Sequence, residues 1–348
     1  MFKIKGIQLS CISCCVPDRY EFNRDLSEFE EERKQKIIQS TGVVSRPVVN
    51  DTQCTSDLVC QSAENLIKQT AIDPDKIGVL ILVTQTPDYI LPATSCIIHN
   101  RLKLCKDTIV FDINLGCSGY IYGLYVASIL LMSSDKPYAL LLAGDTISKY
   151  AGKEDASTRF IFGDAGSATL LGKNEQANTL FFSFGTDGSG WQNLIIPAGG
   201  ARNRDNKENN KITIDLDGNK RTAENLYMDG MEIFNFTIST VVPHLQEIID
   251  KCGFPDTVVF HQANRYMLEF MRKSLKIPKD RFLYSLEKYG NTSSASIPLT
   301  LCSELKKTDD VNKTLLSGFG VGYSWGSVML NLQNTLLLNI YEYSGKGE

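Results

Sequence analysis

A chain of 348 residues is long enough for two ordinary domains, or for one large α/β unit built from two similar halves. Its hydrophobic content of 43% and charged content of 22% are typical of a globular enzyme or binding protein, and argue against a disordered chain or a membrane protein. The 36 Lys and Arg and 40 Asp and Glu give a net charge of -4, so nucleic acid is not an expected partner. The first residues lack the long apolar region of a signal peptide, and we therefore expect a cytoplasmic protein.

The first third of the chain alternates strand and helix patterns. Residues 2–12 alternate like a strand, and residues 23–40 carry acidic residues early and basic residues late, as an amphipathic helix prefers. An N-cap cluster at residues 55–57 opens another helix, and residues 77–86 form an apolar, β-branched strand. A helix is then predicted from Thr94 to Leu102. This alternation predicts a largely parallel α/β sheet covered on both faces.

The stretch from Ile109 to Met132 combines a buried strand, a sharp turn and a nearly uncharged helix. Cys117 lies in the turn, where the unpaired N–H groups of the following helix are expected to lower the pKa of its thiol. The same N–H groups can hold a developing oxyanion. Cys117 is therefore a candidate nucleophile, although an ordinary buried cysteine is the usual alternative.

The other cysteines give no comparable signal. Disulfides are not expected in a reducing cytoplasm. Cys11, Cys14 and Cys15 form a cluster, but no second cysteine pair or nearby histidine completes a tetrahedral site, so no structural metal is predicted. The six that remain fall in or beside apolar patterns and are predicted to be core residues: Cys54, Cys60, Cys96, Cys105, Cys252 and Cys302.

The second half of the chain repeats the order of the first. Three first-half segments have later echoes in the same order, which predicts a duplicated α/β unit. The paired segments are 73–86 with 254–264, the Cys117 turn with 281–299, and 163–172 with 322–332. We expect two pseudo-symmetric halves, residues 1–175 carrying the cysteine and residues 176–348, with the charged segment 199–224 as a solvated surface excursion.

His261 and Asn291 are the candidate partners of Cys117. His261 ends an apolar strand, so its imidazole is expected at the carboxyl edge of a sheet, whereas His99 and His244 lie in helical patterns without such a position. Asn291 lies in a second strand-to-helix turn, which the duplication places opposite the Cys117 turn across one cleft. A cysteine, a histidine and an amide at strand ends are suited to acyl transfer through a thioester.

The residues around these positions resemble the β-ketoacyl-acyl-carrier-protein synthase III family of the thiolase superfamily, over essentially the full chain. The resemblance rests on STGVVSR (40–46), TSDLVCQSAENLI (55–67), FDINLGCSGYIYGL around Cys117, IFGDAGSA, HQAN around His261, GNTSSAS around Asn291, and GFGVGYSWGS near the end. It implies an α/β, thiolase-like fold of αβαβα layers and a homodimer. It also implies the catalytic roles of Cys117, His261 and Asn291.

The resemblance further implies a decarboxylating condensation of an acyl group on Cys117 with a malonyl thioester, as in fatty acid biosynthesis. The backbone N–H groups of Cys117 and Val321 would form the oxyanion hole, and Leu91, Phe162 and Phe319 would line the acyl pocket, Leu91 from the partner subunit. The substrates would be thioesters of coenzyme A or of the phosphopantetheine of an acyl carrier protein. No metal or permanently bound cofactor is required.

The sequence departs from the family where well-known members bind the adenine of coenzyme A. The aligned positions are Lys36, Ser40 and Ala156, which lack the stacking and phosphate-binding side chains. We therefore expect a different donor contact and a specialised pathway in place of fatty-acid initiation. The candidate contacts to a carrier protein or coenzyme A are Arg46, Arg265, Arg272 and Lys273.

Two other functions remain open from the sequence. In the first, His261 acts as a general base and Cys117 passes its acyl group to a hydroxyl or an amine. In the second, the chain is a catalytically silent subunit or scaffold of a larger synthase. Release of carbon dioxide and formation of an acyl-cysteine distinguish these functions from condensation.

Overall fold

The computed structural model describes residues 1–204, 206–306 and 309–345. The helices are α1 (Glu31–Thr41), α2 (Thr55–Thr70), α3 (Thr94–Arg101), α4 (Gly119–Ser133), α5 (Ala156–Arg159), α6 (Gly230–Phe236), α7 (Val242–Cys252), α8 (Arg265–Ser274), α9 (Leu286–Tyr289) and α10 (Ser296–Glu304). The strands of the first half are β1 (Phe2–Ile4), β2 (Ile7–Pro17), β3 (Tyr20–Phe22), β4 (Ser45–Pro47), β5 (Ile77–Val83), β6 (Ile109–Ile113), β7 (Tyr138–Asp145) and β8 (Ala165–Lys173). Those of the second half are β9 (Leu180–Thr186), β10 (Leu194–Ile195), β11 (Thr213–Ile214), β12 (Lys220–Arg221), β13 (Tyr227–Met228), β14 (Thr257–Phe260), β15 (Thr314–Gly320), β16 (Ser324–Leu330), β17 (Leu336–Leu337) and β18 (Tyr341–Tyr343).

Two mixed sheets form the frame of the molecule. The first has the order β17-β2-β8-β7-β5-β6, with β18 also beside β2, and the second has the order β1-β9-β16-β15-β14. Helices α4 and α10 contact both sheets and lie between them, while α2 covers the outer face of the first sheet and α7 packs on the second. This αβαβα layering is the predicted thiolase-like fold.

The ends of the chain cross between the two sheets. The single strand predicted over residues 2–12 is interrupted at Gly6, which has a φ of 77°. Strand β1 pairs with β9 of the second sheet, whereas β2 pairs with β8 of the first. At the other end β17 and β18 return to β2. The halves predicted as residues 1–175 and 176–348 therefore exchange their terminal strands.

Three local predictions were wrong. The helix predicted from residue 23 begins at Glu31, because the buried Asn23 side chain donates hydrogen bonds to the carbonyls of Val43 and Phe160 and fixes a separate turn. Segment 199–224 is exposed over most of its described length, and the prediction that it is solvated fails only locally, chiefly at Asn219, which is buried and accepts a hydrogen bond from the Ala156 N–H. Of the six cysteines predicted in the core outside the cluster, Cys60 is buried but Cys96 is exposed.

Candidate active site

Cys117 lies in the turn between β6 and α4. Two glycines of β15 allow that strand to approach Cys117 closely. A Cβ atom on Gly318 would lie 2.4 Å from the Cys117 carbonyl oxygen. A Cβ atom on Gly320 would lie 2.9 Å from Cys117 Cβ and 3.0 Å from its Sγ. These distances are shorter than normal contacts between such atoms, so a side chain at residue 318 would displace the backbone of Cys117 and one at residue 320 would displace its thiol.

The thiol of Cys117 is held in its neutral form. Burial, together with the nearby Asp145 carboxylate, raises its pKa to about 12, the reverse of the predicted direction. Hydrogen bonds to the sulfur from the backbone N–H groups of Val321 and Cys117 and from the Ser293 hydroxyl oppose the shift, and of these only the Cys117 N–H lies beside the start of helix α4. The prediction was wrong because desolvation, which depends on the whole fold, outweighs these local hydrogen bonds.

His261 follows β14 and is 1% exposed. Its Nδ1 lies 2.7 Å from the Ser296 hydroxyl at the start of α10, and its ring meets the Phe319 ring edge to face. Burial lowers the pKa of the imidazole to about 3, against a smaller opposing effect of a hydrogen bond with the Ser293 backbone. The ring is therefore neutral near pH 7 and carries one N–H donor.

Asn291 is fixed at both its backbone and its side chain. Its N–H donates to the Ile161 carbonyl and its carbonyl accepts from the Gly163 N–H. These two hydrogen bonds attach the Asn291 turn to residues 161–163 of the first half of the chain. The side-chain Oδ1 accepts from the Ser293 N–H at 2.9 Å. Since the oxygen is occupied, the amide NH2 group is the part of Asn291 left to serve as a donor.

Two cavities meet at Cys117. A narrow one of about 50 Å³ brings Cys117, His261 and Asn291 together with apolar neighbours that include Phe319. A wider one of about 480 Å³ also has Cys117 in its lining. Phe162 and Leu194 line both cavities as well, so two spaces reach the thiol, as an acyl-transfer site with two substrates needs.

The three residues predicted for the acyl pocket differ in their places. Phe162 lines both cavities, whereas Phe319 lines only the narrow one, which also contains His261. Leu91 does not line either cavity and is 80% exposed. Its neighbours Tyr89 (61%) and Ile90 (92%) are exposed as well. A pocket role for Leu91 therefore depends on a second subunit.

Sequence analysis missed two residues that organise the site. The Asp145 carboxylate is 0% exposed and accepts from the Gln85 N–H at 2.7 Å and the Ser294 hydroxyl at 2.7 Å. It thus joins the end of β5 to the Asn291 turn. Ser293 adopts a left-handed conformation with a φ of 50° and places its hydroxyl on the Cys117 sulfur. Its place inside GNTSSAS was the available signal.

The four cations predicted to contact the acyl donor are not equivalent. Arg46 is 0% exposed and bonds to Glu21, Asn23 and the Phe162 carbonyl, so its predicted contact with a carrier or coenzyme A was wrong. Arg272 is paired with Glu269 at 2.9 Å and also bonds to a backbone carbonyl. Arg265 stacks on the Tyr284 ring at 4.4 Å, and Lys273 is exposed.

Two family models match segments of the chain. Residues 111–188 match the family model described as 3-oxoacyl-[acyl-carrier-protein (ACP)] synthase III, and residues 255–332 match its C-terminal model. A Campylobacter jejuni protein provisionally named 3-oxoacyl-[acyl-carrier-protein] synthase 3 is 36% identical over 98% of this chain and 97% of its own length. The chain belongs to the 3-oxoacyl-[acyl-carrier-protein] synthase III family.

Two solved structures agree with this membership. The 3-oxoacyl-(acyl-carrier protein) synthase from Burkholderia xenovorans LB400 superposes with a TM-score of 0.91 at 34% identity, covering 98% of both chains. A second 3-oxoacyl-(acyl-carrier-protein) synthase III gives a TM-score of 0.86 at 36% identity, covering 94% of this chain and 99% of that one. The resemblance and the fold predicted from the sequence are confirmed.

The described part of the chain holds neither a candidate membrane-spanning helix nor a candidate metal-binding group. No helix in residues 1–204, 206–306 and 309–345 has the length and apolar character needed to cross a bilayer. Within those same ranges, His, Cys, Asp and Glu side chains do not form a group of three or more that could hold a metal ion.

The contact between Gly320 and the synthase thiol gives one testable prediction. Gly320→Ala is expected to slow acylation of Cys117 by at least about 100-fold, because the new methyl group would push the sulfur off its attacking position. Acyl-enzyme formation from an acyl thioester, followed by intact mass, measures the effect. Gly188→Ala is the matched control, since no atom lies within 4 Å of a Cβ atom there. An unchanged rate in Gly320→Ala would contradict the close approach.

The buried imidazole predicts a pH dependence of stability. Folding lowers the pKa of His261 from 6.5 to about 3. Between these two pH values the unfolded chain binds a proton at His261 and the folded chain does not. His261 therefore stabilises the fold least at low pH, and about 2 to 3 kcal/mol should be lost between roughly pH 6.5 and 4.5. Denaturant unfolding of wild type and His261→Gln measures this loss.

The difference between the two proteins isolates the histidine. Burial raises the pKa of Asp164 to about 6, and that carboxyl stabilises the fold as the pH falls, but it is present in both proteins and cancels. The free energy of unfolding should therefore fall less steeply with acid in His261→Gln. If the free energies of unfolding of the two proteins changed in parallel with pH, folding would not lower the pKa of His261.

Proposed function

We propose that this chain catalyses a decarboxylating Claisen condensation between an acyl group on Cys117 and a malonyl-type thioester. The observation that carries the proposal is the meeting of a buried thiol, a neutral imidazole and an oriented amide in one narrow cavity. The names of the full-length relatives support the same reaction.

In the first half-reaction, the Cys117 sulfur attacks the carbonyl carbon of an acyl thioester. The bond from that carbon to the pantetheine sulfur breaks, and the thiol proton leaves with the pantetheine. The backbone N–H groups of Cys117 and Val321, which bond to the sulfur in the free protein, are the donors for the oxyanion that forms on the way. Splitting the condensation at this acyl-enzyme turns one difficult step into two easier ones.

In the second half-reaction, the malonyl group loses carbon dioxide and the electron pair of the broken bond becomes an enolate. If the Ser296 hydroxyl donates to Nδ1, the ring proton of His261 is held on Nε2, from which it can be donated. The Asn291 NH2 group supplies the second donor. The enolate carbon then attacks the acyl carbonyl, and the Cys117 sulfur leaves and regains a proton.

The low pKa of His261 favours condensation over the alternative acyl transfer. A general base works best with a pKa near the working pH, and an imidazole with a pKa of about 3 is a weak proton acceptor. The same neutral ring is well suited to donate a hydrogen bond to an enolate oxygen. Burial of His261 thus supports electrostatic stabilisation and gives no support to base-assisted transfer to a hydroxyl or an amine.

The acyl donor is proposed to be an acyl carrier protein, with coenzyme A as the second possibility, and no cofactor is proposed to remain bound. Lys273 and Lys276 are exposed on the helix α8 side of the molecule, and Arg265 lies nearby, so an acidic carrier would meet positive charge there. Lys36 forms an exposed ion pair with Glu32 and Ala156 is buried, and neither position carries an aromatic or arginine side chain that could stack on an adenine. These departures support a specialised pathway. Acylation rates with matched carrier and coenzyme A thioesters would test the donor.

A homodimer is also proposed. The exposed Tyr89, Ile90 and Leu91 form an apolar tip, and β6 is an edge strand of the first sheet with Ile109 half exposed. A second copy would cover these groups and bring Leu91 towards a neighbouring cavity. Sedimentation at the mass of two chains is expected, and a monomer at micromolar concentration would contradict the proposal.

Carbon dioxide release tests the condensation. The protein is incubated with an acyl thioester and malonyl thioester labelled in its free carboxyl group, with acceptors bearing a hydroxyl or an amine in parallel. We expect labelled carbon dioxide and a β-ketoacyl product. Efficient acyl turnover to an acceptor without carbon dioxide would contradict the proposal and favour simple acyl transfer.

A further inference from the structure

The wider cavity beside Cys117 is apolar on most of its wall but carries two amides. Its apolar lining includes Ile147, Trp191 and Leu226. Gln85 and Asn114 lie in the same lining, close to the thiol end where Ser293 also contributes. A pocket made only for a saturated acyl chain gains nothing from primary amides, which lose hydration when a hydrocarbon covers them.

Gln85 is held in this position by its surroundings. Its backbone N–H donates to the buried Asp145 carboxylate at 2.7 Å. Its Oε1 lies 2.1 Å from the place where a Cβ atom on Gly116 would stand, so the amide fills the space over the residue next to Cys117. The Ser293 hydroxyl is 3.2 Å from the same point. The absence of a side chain at residue 116 therefore lets a polar group reach the acyl site.

The side-chain amides of Gln85 and Asn114 have no hydrogen-bond partner within the described part of the chain, and Gln85 is half-buried. An amide both donates and accepts hydrogen bonds, so it complements a hydroxyl group, which does the same. Among the described residues that line the cavity there is no Lys, Arg or His to hold a carboxylate. The cavity thus favours a neutral polar substituent over a charged one.

We propose that the acyl group received by Cys117 is a short hydroxyacyl group whose hydroxyl bonds to the Gln85 amide. The inference rests on the proposed acylation of Cys117 and specifies its substrate. The sulfur bonds to the hydroxyacyl carbonyl carbon, the pantetheine thiol leaves with the proton, and the hydroxyl is unchanged. Asn114, in the same cavity lining, provides a second polar contact.

A comparison of matched donors tests this specificity. Wild-type protein is given butanoyl-, 3-hydroxybutanoyl- or 4-hydroxybutanoyl-pantetheine, and the rate of Cys117 adduct formation is followed by intact mass. We expect one of the hydroxybutanoyl donors to react at least about tenfold faster than butanoyl, since a site built for a hydroxyl is left with unpaired groups by the analogue that lacks it. A butanoyl rate equal to or above both would overturn the inference.

Gln85→Met removes the amide at nearly constant size and should reduce the hydroxybutanoyl-to-butanoyl rate ratio by about tenfold or more. Gln192→Met, at an exposed position outside the cavity, is the control and should keep the ratio. An unchanged ratio in folded Gln85→Met would also overturn the inference. If no donor of any kind gives a Cys117 adduct, the proposed function fails, which is a distinct outcome from adducts without hydroxyl preference.

Discussion

Cys117→Ala is expected to abolish acyl-enzyme formation and to lower the condensation rate by at least about 10,000-fold, because Cys117 is the only thiol among the described residues that line the narrow cavity. The thiol lies where both cavities meet, and two backbone N–H groups already bond to its sulfur. Intact mass after exposure to an acyl thioester measures the adduct, and product formation from a malonyl thioester measures the rate.

Cys96→Ala is the control for this prediction. Cys96 is exposed on helix α3 and lines neither of the two cavities. The Cys96→Ala protein should therefore form the adduct and keep the activity of the wild type. If an adduct persists in Cys117→Ala, and protease digestion and peptide mapping locate it on another cysteine, the nucleophile is misassigned.

His261→Ala and Asn291→Asp are expected to slow decarboxylation by about 100-fold to 1,000-fold each while leaving acylation of Cys117 much less affected. Alanine removes one donor to the enolate. Aspartate keeps the size of Asn291 but replaces its NH2 donor with a charge that repels the enolate. Rates of labelled carbon dioxide release and of adduct formation, measured on the same samples, separate the two half-reactions.

The outcome that would contradict these roles is a loss of acylation equal to the loss of decarboxylation. Such a result would place His261 in the activation of the thiol, as in a general-base mechanism. His244→Ala is the control, because His244 packs beside Trp325 on helix α7 and lines neither cavity. It should leave both half-reactions near the wild-type rates.

The places of the three candidate residues in the fold were predictable because their signals are local. A strand followed by a glycine-rich turn and a helix fixes the place of Cys117. The strand predicted before Asn291 was wrong, because helix α9 (Leu286–Tyr289) precedes that turn, but the turn does lead into helix α10. His261 was distinguished from the other histidines by its position at a strand end. Duplication of these patterns then indicated that the two turns face each other, and in the structure both Cys117 and Asn291 line one cavity.

The features that depend on the whole fold were not predictable. The thiol pKa of Cys117 is set by burial, which the local helix pattern does not reveal. Arg46 looked like a surface cation, yet it is enclosed by Glu21 and Asn23 from a distant strand and turn. The role proposed for Gln85 depends on its packing over Gly116, a contact between residues far apart in sequence.

A single-turnover experiment tests the central claim most directly. The acyl-Cys117 protein is isolated, mixed with malonyl thioester, and followed by intact mass together with product analysis. The adduct should disappear as one equivalent of carbon dioxide and one equivalent of a β-ketoacyl product, two carbons longer than the acyl group, are formed. An adduct that stays unchanged would contradict the account. So would release of the acyl group as a free acid, an ester or an amide without carbon dioxide.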